Sequence, residues 1–291
     1  MSEMFFEERR KMLMASSSGS AVTPEPGHDG RIWVYHTTTS ASQTLRILSK
    51  TTSMGIGSTM IVDGVPTPIS TGYTFSEAGT HLIQYEIANT VKAIFSGVTG
   101  VSEIYFPPTT VPIGSGNDSP FAGLGGFSII KVPGQITFPK FSSSVSADAS
   151  KTSTIEFLNV SSWAAADTAI HNRITNFIIK GTFGSIPNSG LVGFNGASNF
   201  KYIWIESPNL TSIGNSFCMN MQNFQTLVLN METPPTVSTT ELFYRTTSSS
   251  FKIYVPYSSD HSILNNWKAA AGWSTHASRF LELTQDGQIP T

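Results

Sequence analysis

The chain has 291 residues and a formal net charge of −2 at pH 7, from 17 Lys and Arg against 19 Asp and Glu. This near-neutral balance excludes a large nucleic-acid footprint, which would need a clustered basic face. Hydrophobic residues make up 39% and charged residues only 12% of the chain, which is typical of a folded, β-rich protein with many turns and argues against disorder.

Cysteine usage and the N-terminus bear on the compartment. The single cysteine, Cys218, excludes an intrachain disulfide and favours folding in a reducing compartment. No apolar run approaches the roughly 18 residues that span a bilayer, so we expect no membrane insertion. Residues 1–14 mix charges of both signs without the apolar stretch of a secretory signal, and we expect no export by that route.

The first 29 residues are predicted to be an N-terminal helix and a linker. Apolar residues recur near helical spacing in residues 2–15, and Ser2 can cap the helix. Such a short helix is marginal alone, so its apolar face needs a cover, either the chain's own β-domain or a neighbouring subunit. Residues 16–29 are rich in Ser, Gly and Pro, which indicates a linker.

Residues 30–92 are predicted to form a small antiparallel β-sandwich, with strands separated by Gly and Asp turn residues. The candidate strands are Arg31–Tyr35, Thr44–Leu48, Thr59–Val62, Gly72–Phe75 and Thr80–Ile87. The stretch Tyr73–His81 is similar to the late strands of bacterial immunoglobulin-like domains, where an F-x-x-x-G turn leads into an alternating strand. The resemblance implies an Ig-like domain, and a generic hairpin is the alternative.

Short apolar triplets recur through the rest of the chain. They are Ile104-Tyr105-Phe106, Ile130-Lys131-Val132, Ile155-Glu156-Phe157, Phe177-Ile178-Ile179, Ile203-Trp204-Ile205, Leu227-Val228-Leu229 and Ile253-Tyr254-Val255. Successive triplets begin roughly 22 to 26 positions apart, within the window of leucine-rich repeats. The two outer residues of a triplet point to one side of a strand, and a single rung cannot bury that side alone. We therefore predict parallel strands stacked in a solenoid over residues 93–284.

Two stretches, Ile94–Gly114 and Phe200–Leu229, carry a family resemblance. They resemble the BspA-like leucine-rich repeat of gut Bacteroidetes and their phages, with the pattern I-G-x-x-A-F-x-x-C-x-x-L-x-x-I-x-I-P. The run Lys-Ala-Ala-Ala-Gly-Trp at residues 268–273, which follows a strand that ends in Val-Pro, resembles that family's terminal cap. The resemblance implies a leucine-rich-repeat solenoid whose last rung is covered by a helix over Ser262–Ala271.

The sequence shows no catalytic or metal-binding constellation. The six histidines lack metal-ligand spacing, so we expect them at the surface or in turns. The sequence shows no pair of acidic residues that would predict a glycosidase. A glycan-cleaving enzyme is therefore the least favoured interpretation. Cys218 beside Phe217 predicts a buried, inert thiol. We therefore expect no enzyme activity, no cofactor and no metal.

The middle residue of each triplet is predicted to face away from the core. Exposed aromatic rings on a sheet can stack on sugars or anchor a protein partner. The predicted ligand-binding residues are Tyr105, Tyr202, Trp204, Glu206 and Tyr254. The alternative is that this face packs against a loop, the β-domain or a sister subunit.

Together with the resemblance, these features imply a non-enzymatic virion component of a phage that infects gut Bacteroidetes, in its tail, baseplate or head decoration. Its Arg- and Met-rich start resembles that of phage-borne proteins of this group. The N-terminal helix would dock on other virion proteins, and the solenoid would face a host glycan or protein. A bacterial cell-surface adhesion protein of the same repeat family is the alternative. Solenoids are often monomers and phage fibres often trimers, so a homo-oligomer stays open.

Overall fold

The computed structural model describes residues 25–52, 54–114, 121, 124, 126–137, 153–163, 169–170, 174–193, 200–237, 241–246 and 251–290. The predicted N-terminal helix over residues 2–15 and most of the linker lie outside the described residues. The described part is mainly β, and it contains a β-solenoid of about 5 turns. The prediction of a repeat solenoid is therefore confirmed.

The N-terminal strands pair only in antiparallel fashion. They are β1 (Arg31–Thr38), β2 (Gln43–Arg46), β3 (Ile56–Val62), β4 (Val65–Pro68), β5 (Gly72–Phe75) and β6 (Gly79–Ile87). β1 pairs with β6, β6 with β3 and β3 with β4, while β2 and β5 form a separate pair. The five predicted strands are present. The sequence reasoning missed β4, whose Pro66 and Pro68 are tolerated because this strand lies at the edge of its sheet.

The remaining strands build the solenoid. They are β7 (Val101–Tyr105), β8 (Ile129–Val132), β9 (Ile136–Thr137), β10 (Thr154–Ser162), β11 (Ala169–Ile170), β12 (Asn176–Gly181), β13 (Ser185–Ile186), β14 (Leu191–Gly193), β15 (Tyr202–Glu206), β16 (Ser212–Ile213), β17 (Cys218–Met219), β18 (Thr226–Leu229), β19 (Thr236–Val237), β20 (Lys252–Val255) and β21 (Phe280–Glu282). The long sheet runs β7-β8-β10-β12-β15-β18-β20-β21, with every neighbour parallel. Shorter parallel sheets, β11-β14-β17 and β13-β16-β19, take strands from the same turns.

The predicted triplets align in register across the long sheet. Ile104 lies opposite Ile130, and Ile130 lies opposite Ile155. The same register continues through Phe177, Ile203, Leu227 and Ile253. Both outer residues of every triplet are 0% exposed. Because a slip by one residue would turn each of these side chains to the other face, the apolar pattern fixes the register.

Two strands extend the long sheet beyond the predicted rungs. β21 pairs with β20, with Phe280 opposite Ile253. At the other end β1 pairs antiparallel with β7, so the N-terminal strands and the solenoid share one continuous sheet. The free edge of β20 is thus covered by a strand rather than by the predicted closing helix. A strand can satisfy the backbone groups of that edge, which a helix cannot.

The helix α1 (Ser262–Ala269) and a 3-10 helix (Ser274–Arg279) lie between β20 and β21 and bury two tryptophans. Trp267 and Trp273 are both 0% exposed, with ring centroids 5.0 Å apart in an edge-to-face arrangement. Their Nε1 groups donate to the carbonyl oxygens of Met231 and Pro235, at 3.3 and 2.8 Å. Gly272, which lies between the two helices, has φ +80°, a conformation that favours glycine.

The solenoid interior confirms the prediction that Cys218 is buried. Phe217, Phe224 and Cys218 are all 0% exposed, and burial raises the pKa of the Cys218 thiol. Gly214 is required for a reason that the sequence did not indicate. A Cβ at this position would lie 2.4 Å from the backbone nitrogen of Asn188 on the preceding turn, so the close approach of two turns selects glycine.

His36 contradicts the expectation of surface or turn histidines, because its side chain is 0% exposed. Its Nδ1 lies 3.1 Å from the carbonyl oxygen of Thr99, which assigns the proton to Nδ1. Nε2 is buried without a hydrogen-bond partner among the described residues. Burial, with a smaller contribution from the nearby His81, lowers the pKa of His36 to about 4, although the Thr99 carbonyl opposes this shift. The ring of Phe75 stacks with both imidazoles, with its centroid 6.4 Å from that of His36 and 4.2 Å from that of His81.

Candidate binding face

The outward face of the long sheet is the candidate functional site, because its side chains point away from the buried outer residues of the triplets. The partly exposed members of the predicted outward row are Tyr105, Lys131, Glu156, Ile178 and Trp204. Leu281 of β21 lies opposite Tyr254 and extends the row, with 39% exposure. Five of the seven predicted members are thus partly exposed, and Leu281 adds one strand to the row.

Two members of the predicted row are buried instead of exposed. Val228 is 0% exposed and Tyr254 is 9% exposed, and both form a small apolar cluster with Leu283. The partly buried residues that pack against this cluster are Tyr202, Trp204 and Ile289. The C-terminal tail, residues 283–290, thus covers the outward face at β18 and β20. The expectation that Tyr254 is exposed is wrong for this reason.

The tail is held mainly by apolar contact. The amide of Leu283 continues the ladder by donating to the carbonyl oxygen of Val255 at 2.9 Å. Beyond it the chain turns on itself, with the Thr284 amide 2.8 Å from the Gln288 carbonyl oxygen and the Gly287 amide 2.8 Å from that of Thr284. This turn returns Ile289 to the sheet, where its side chain packs on the apolar cluster.

A polar cluster lies beside the tail and is centred on the carboxylate of Glu206. Its Oε2 accepts hydrogen bonds from Trp204 Nε1 at 3.0 Å and Asn230 Nδ2 at 2.9 Å, and Lys180 Nζ lies 3.1 Å away. Strand geometry explains the convergence, because Trp204 and Glu206 are two residues apart on β15 and Lys180 lies directly opposite Glu206 on β12. Asn230 follows β18, the next strand of the sheet.

The electrostatics keep Glu206 ionised. Partial burial alone would raise its pKa, but the bonds from Asn230, Trp204 and Lys180 outweigh this effect, and the pKa lies below the usual value. All of these contacts use Oε2. Across the described ranges, Oε1 accepts no hydrogen bond, so it is available to a donor on a ligand.

Lys180 also contacts the indole of Trp204, with Nζ 5.3 Å from the ring centroid. The side chains of Lys180 and Glu206 are 39% and 34% exposed. At such exposure the ion pair and the cation–π contact each contribute about 1 kcal/mol or less. A ligand can therefore displace the ammonium from the ring at small cost.

Tyr105 belongs to a different part of the face. Its hydroxyl donates to Glu103 Oε2 at 2.8 Å, and its ring meets Tyr35 edge-on at 6.1 Å. Burial, followed by the charge of Glu103, raises the pKa of Tyr105 and raises that of Tyr35 to about 12. β7 lies four strands from β15, about 19 Å at about 4.8 Å per strand. The predicted binding residues therefore do not form one site: Tyr202, Trp204 and Glu206 lie together, whereas Tyr105 is distant.

Sequence reasoning missed Lys180 and Asn230. Each directly follows the last residue of its apolar triplet, as Glu206 follows Ile205. Comparing this position across the triplets would have placed all three in one row. No such repeat position predicts that Ile289 packs on the outward face, because the tail lies after the last repeat.

Comparison with protein-family models, with curated proteins and with solved structures gives no match for this chain. Among the residues that the structure describes, no group of three or more His, Cys, Asp or Glu side chains is arranged to hold a metal ion. None of the helices in the part of the chain that the structure describes could span a bilayer. The candidate face is therefore identified from the arrangement of its side chains.

Proposed function

We propose that the protein is a non-enzymatic binding protein that presents the outward face of its solenoid to a host glycan or protein. The supporting observation is the cluster on β15, where partly exposed Tyr202 and Trp204 lie beside the fixed, ionised carboxylate of Glu206. Partly exposed aromatic rings next to oriented hydrogen-bonding groups are typical of recognition surfaces.

The proposal extends to a particle. The BspA-like leucine-rich-repeat resemblance, with its cap helix and the Ig-like segment before it, supports a virion component of a Bacteroidetes phage, in the tail, baseplate or head decoration. In this arrangement the segment at residues 2–15 docks on other virion proteins and the solenoid points outward. A cell-surface adhesion protein of the same repeat family is the second candidate, favoured by the same resemblance.

Mass spectrometry of purified phage particles tests the particle assignment. We expect the chain among the virion proteins, in a fixed ratio to the major capsid protein. Its absence from virions would contradict the assignment. Fractionation of uninfected cells that carry the gene discriminates the second candidate, because an adhesion protein would be found in the cell envelope fraction.

A further inference from the structure

We propose that the Glu206 site, formed by Lys180, Tyr202, Trp204, Glu206 and Asn230, binds neutral sugar units of a host glycan. This proposal rests on the proposed function and narrows it to one site and one chemical class of ligand. It is carried by three observations: a carboxylate with one unused oxygen, a partly exposed indole, and a cation that is already neutralised.

The carboxylate selects for hydroxyl donors. Three donors hold Glu206 at Oε2, between 2.9 and 3.1 Å, so its orientation is fixed before any ligand binds. An ionised carboxylate only accepts hydrogen bonds, so a ligand at Oε1 must present N–H or O–H groups. Adjacent hydroxyls of a sugar can donate to Oε1 and to the amide oxygen of Asn230, which accepts no hydrogen bond from the residues that the structure describes.

The charge balance favours neutral sugars over acidic ones. The single cation of the site, Lys180, lies 3.1 Å from Glu206, so its charge is already matched. A sugar carboxylate or sulfate would add a negative charge beside Glu206, and the one cation among the five residues of the site is already paired. The site therefore discriminates against uronic acid, sialic acid and sulfated sugars.

The indole supplies the apolar surface that a sugar ring needs. Trp204 is the only one of the five tryptophans that is not buried. The others are Trp33 (4% exposed), Trp163 (5%), Trp267 (0%) and Trp273 (0%). The Lys180 ammonium lies over the Trp204 ring at 5.3 Å on an exposed, flexible side chain, and the C–H face of a sugar can replace it there.

The C-terminal tail determines the direction in which a glycan chain extends. Leu283 and Ile289 cover Val228 and Tyr254, so the face is closed on the β18 and β20 side of Trp204. The opposite side, toward β12 and β10, remains partly exposed at Ile178 and Glu156. A bound oligosaccharide therefore leaves the Glu206 site across these strands.

A glycan array probed with the full chain, followed by tryptophan fluorescence, tests the proposal. The array carries neutral hexasaccharides of glucose, mannose, galactose and xylose, with hexagalacturonate and a sulfated galactan as acidic probes. We expect at least one neutral probe to bind and to protect the fluorescence from iodide quenching, because Trp204 is the accessible indole. Binding of acidic probes alone, or of no neutral probe, overturns the proposal.

Variants separate this site from the rest of the protein. We expect Glu206→Gln and Trp204→Ala each to weaken binding of the neutral probe at least 10-fold, whereas Tyr257→Ala leaves it unchanged. Tyr257 is an exposed aromatic, at 40%, in the loop after β20 and outside the site. Using two variants keeps the test decisive if one fails to fold, as judged by circular dichroism.

If the chain binds host cells and both folded variants bind equally well, the proposed function stands and the Glu206 site is wrong. A protein partner captured through Trp204, without glycan binding, also overturns it.

Discussion

The two faces of the long sheet are built by the same strands and differ in almost everything else. On the inward face both outer residues of each triplet are apolar and 0% exposed. On the outward face the same strands carry charged, amide, aromatic and aliphatic side chains of mixed exposure. Packing dictates the inward face, because each rung depends on its neighbours. The outward face is not constrained in this way, so its arrangement at Glu206 is more informative about function.

The contrast between the faces predicts opposite sensitivities for two adjacent residues. Phe177 is 0% exposed on the inward face, and Ile178 is partly exposed on the outward face. We expect Phe177→Ala to lower the free energy of unfolding by about 3–5 kcal/mol, through lost burial and the cavity left behind. Ile178→Ala is the matched control, with an expected loss of about 1 kcal/mol. Urea unfolding measures both, and equal losses would contradict the assignment of the faces.

His36 gives the inward side of the sheet a pH-dependent stability. Its pKa is about 4 in the fold, against an ordinary value of 6.5, so the unfolded chain takes up the proton first as the pH falls. The stabilisation that neutral His36 contributes is therefore complete above pH 6.5. As the pH falls toward 4, the free energy of unfolding decreases by about 3 kcal/mol.

Unfolding measured by urea between pH 7 and pH 4 checks this expectation. His36→Phe removes the titrating group and should flatten that part of the profile. His28→Ala is the control, because the His28 side chain is 51% exposed. A variant at His36 with the same pH profile as the parent chain would show that another group is responsible.

The tail is the boundary between covered and open parts of the outward face. Ile289→Ser removes an apolar contact with the cluster of Val228, Tyr254 and Leu283. We expect a loss of about 1 kcal/mol in stability and an increase in iodide quenching of Trp204. Gln288→Ser changes the exposed neighbouring side chain and should do neither. If Ile289→Ser and Gln288→Ser both leave the iodide quenching of Trp204 unchanged, the tail does not shield this side of the Trp204 indole.

The Glu206 cluster should matter least to stability. Its ion pair is partly exposed, so Glu206→Gln is expected to lower the free energy of unfolding by about 1 kcal/mol or less. Chemical unfolding of the variant, with Lys131→Met on the same face as the control, checks this value. A loss as large as that of Phe177→Ala would show that the cluster is structural and would weaken the case for a binding role.

The sequence predicted the parts of the fold that repeat. A period of two within each triplet and a regular interval between triplets fix which side chains face inward and which strands are neighbours. The reasoning failed where a signal occurs only once. β4 was missed because it contains two prolines, and β21 because its third residue is Glu282 instead of an apolar residue.

The candidate site was predicted in part for the same reason. Tyr202, Trp204 and Glu206 were found because they belong to one strand, whose alternation places them on one face. The distance of Tyr105 and the burial of Tyr254 depend on strand order and on the tail, which no local pattern encodes. His36 alternates in β1 with the buried residues Ile32, Val34 and Thr38, but a polar residue at a core position is not predicted by hydrophobicity.

Binding of the full chain to intact cells of the proposed Bacteroidetes host tests the central claim most directly, that the outward face at Trp204 is the recognition surface. Fluorescently labelled chain is titrated onto cells, and Trp204→Ala is compared with Tyr257→Ala, which removes an exposed aromatic elsewhere. We predict at least a 10-fold loss of affinity for Trp204→Ala and none for Tyr257→Ala. Equal binding by the two folded variants would contradict the account.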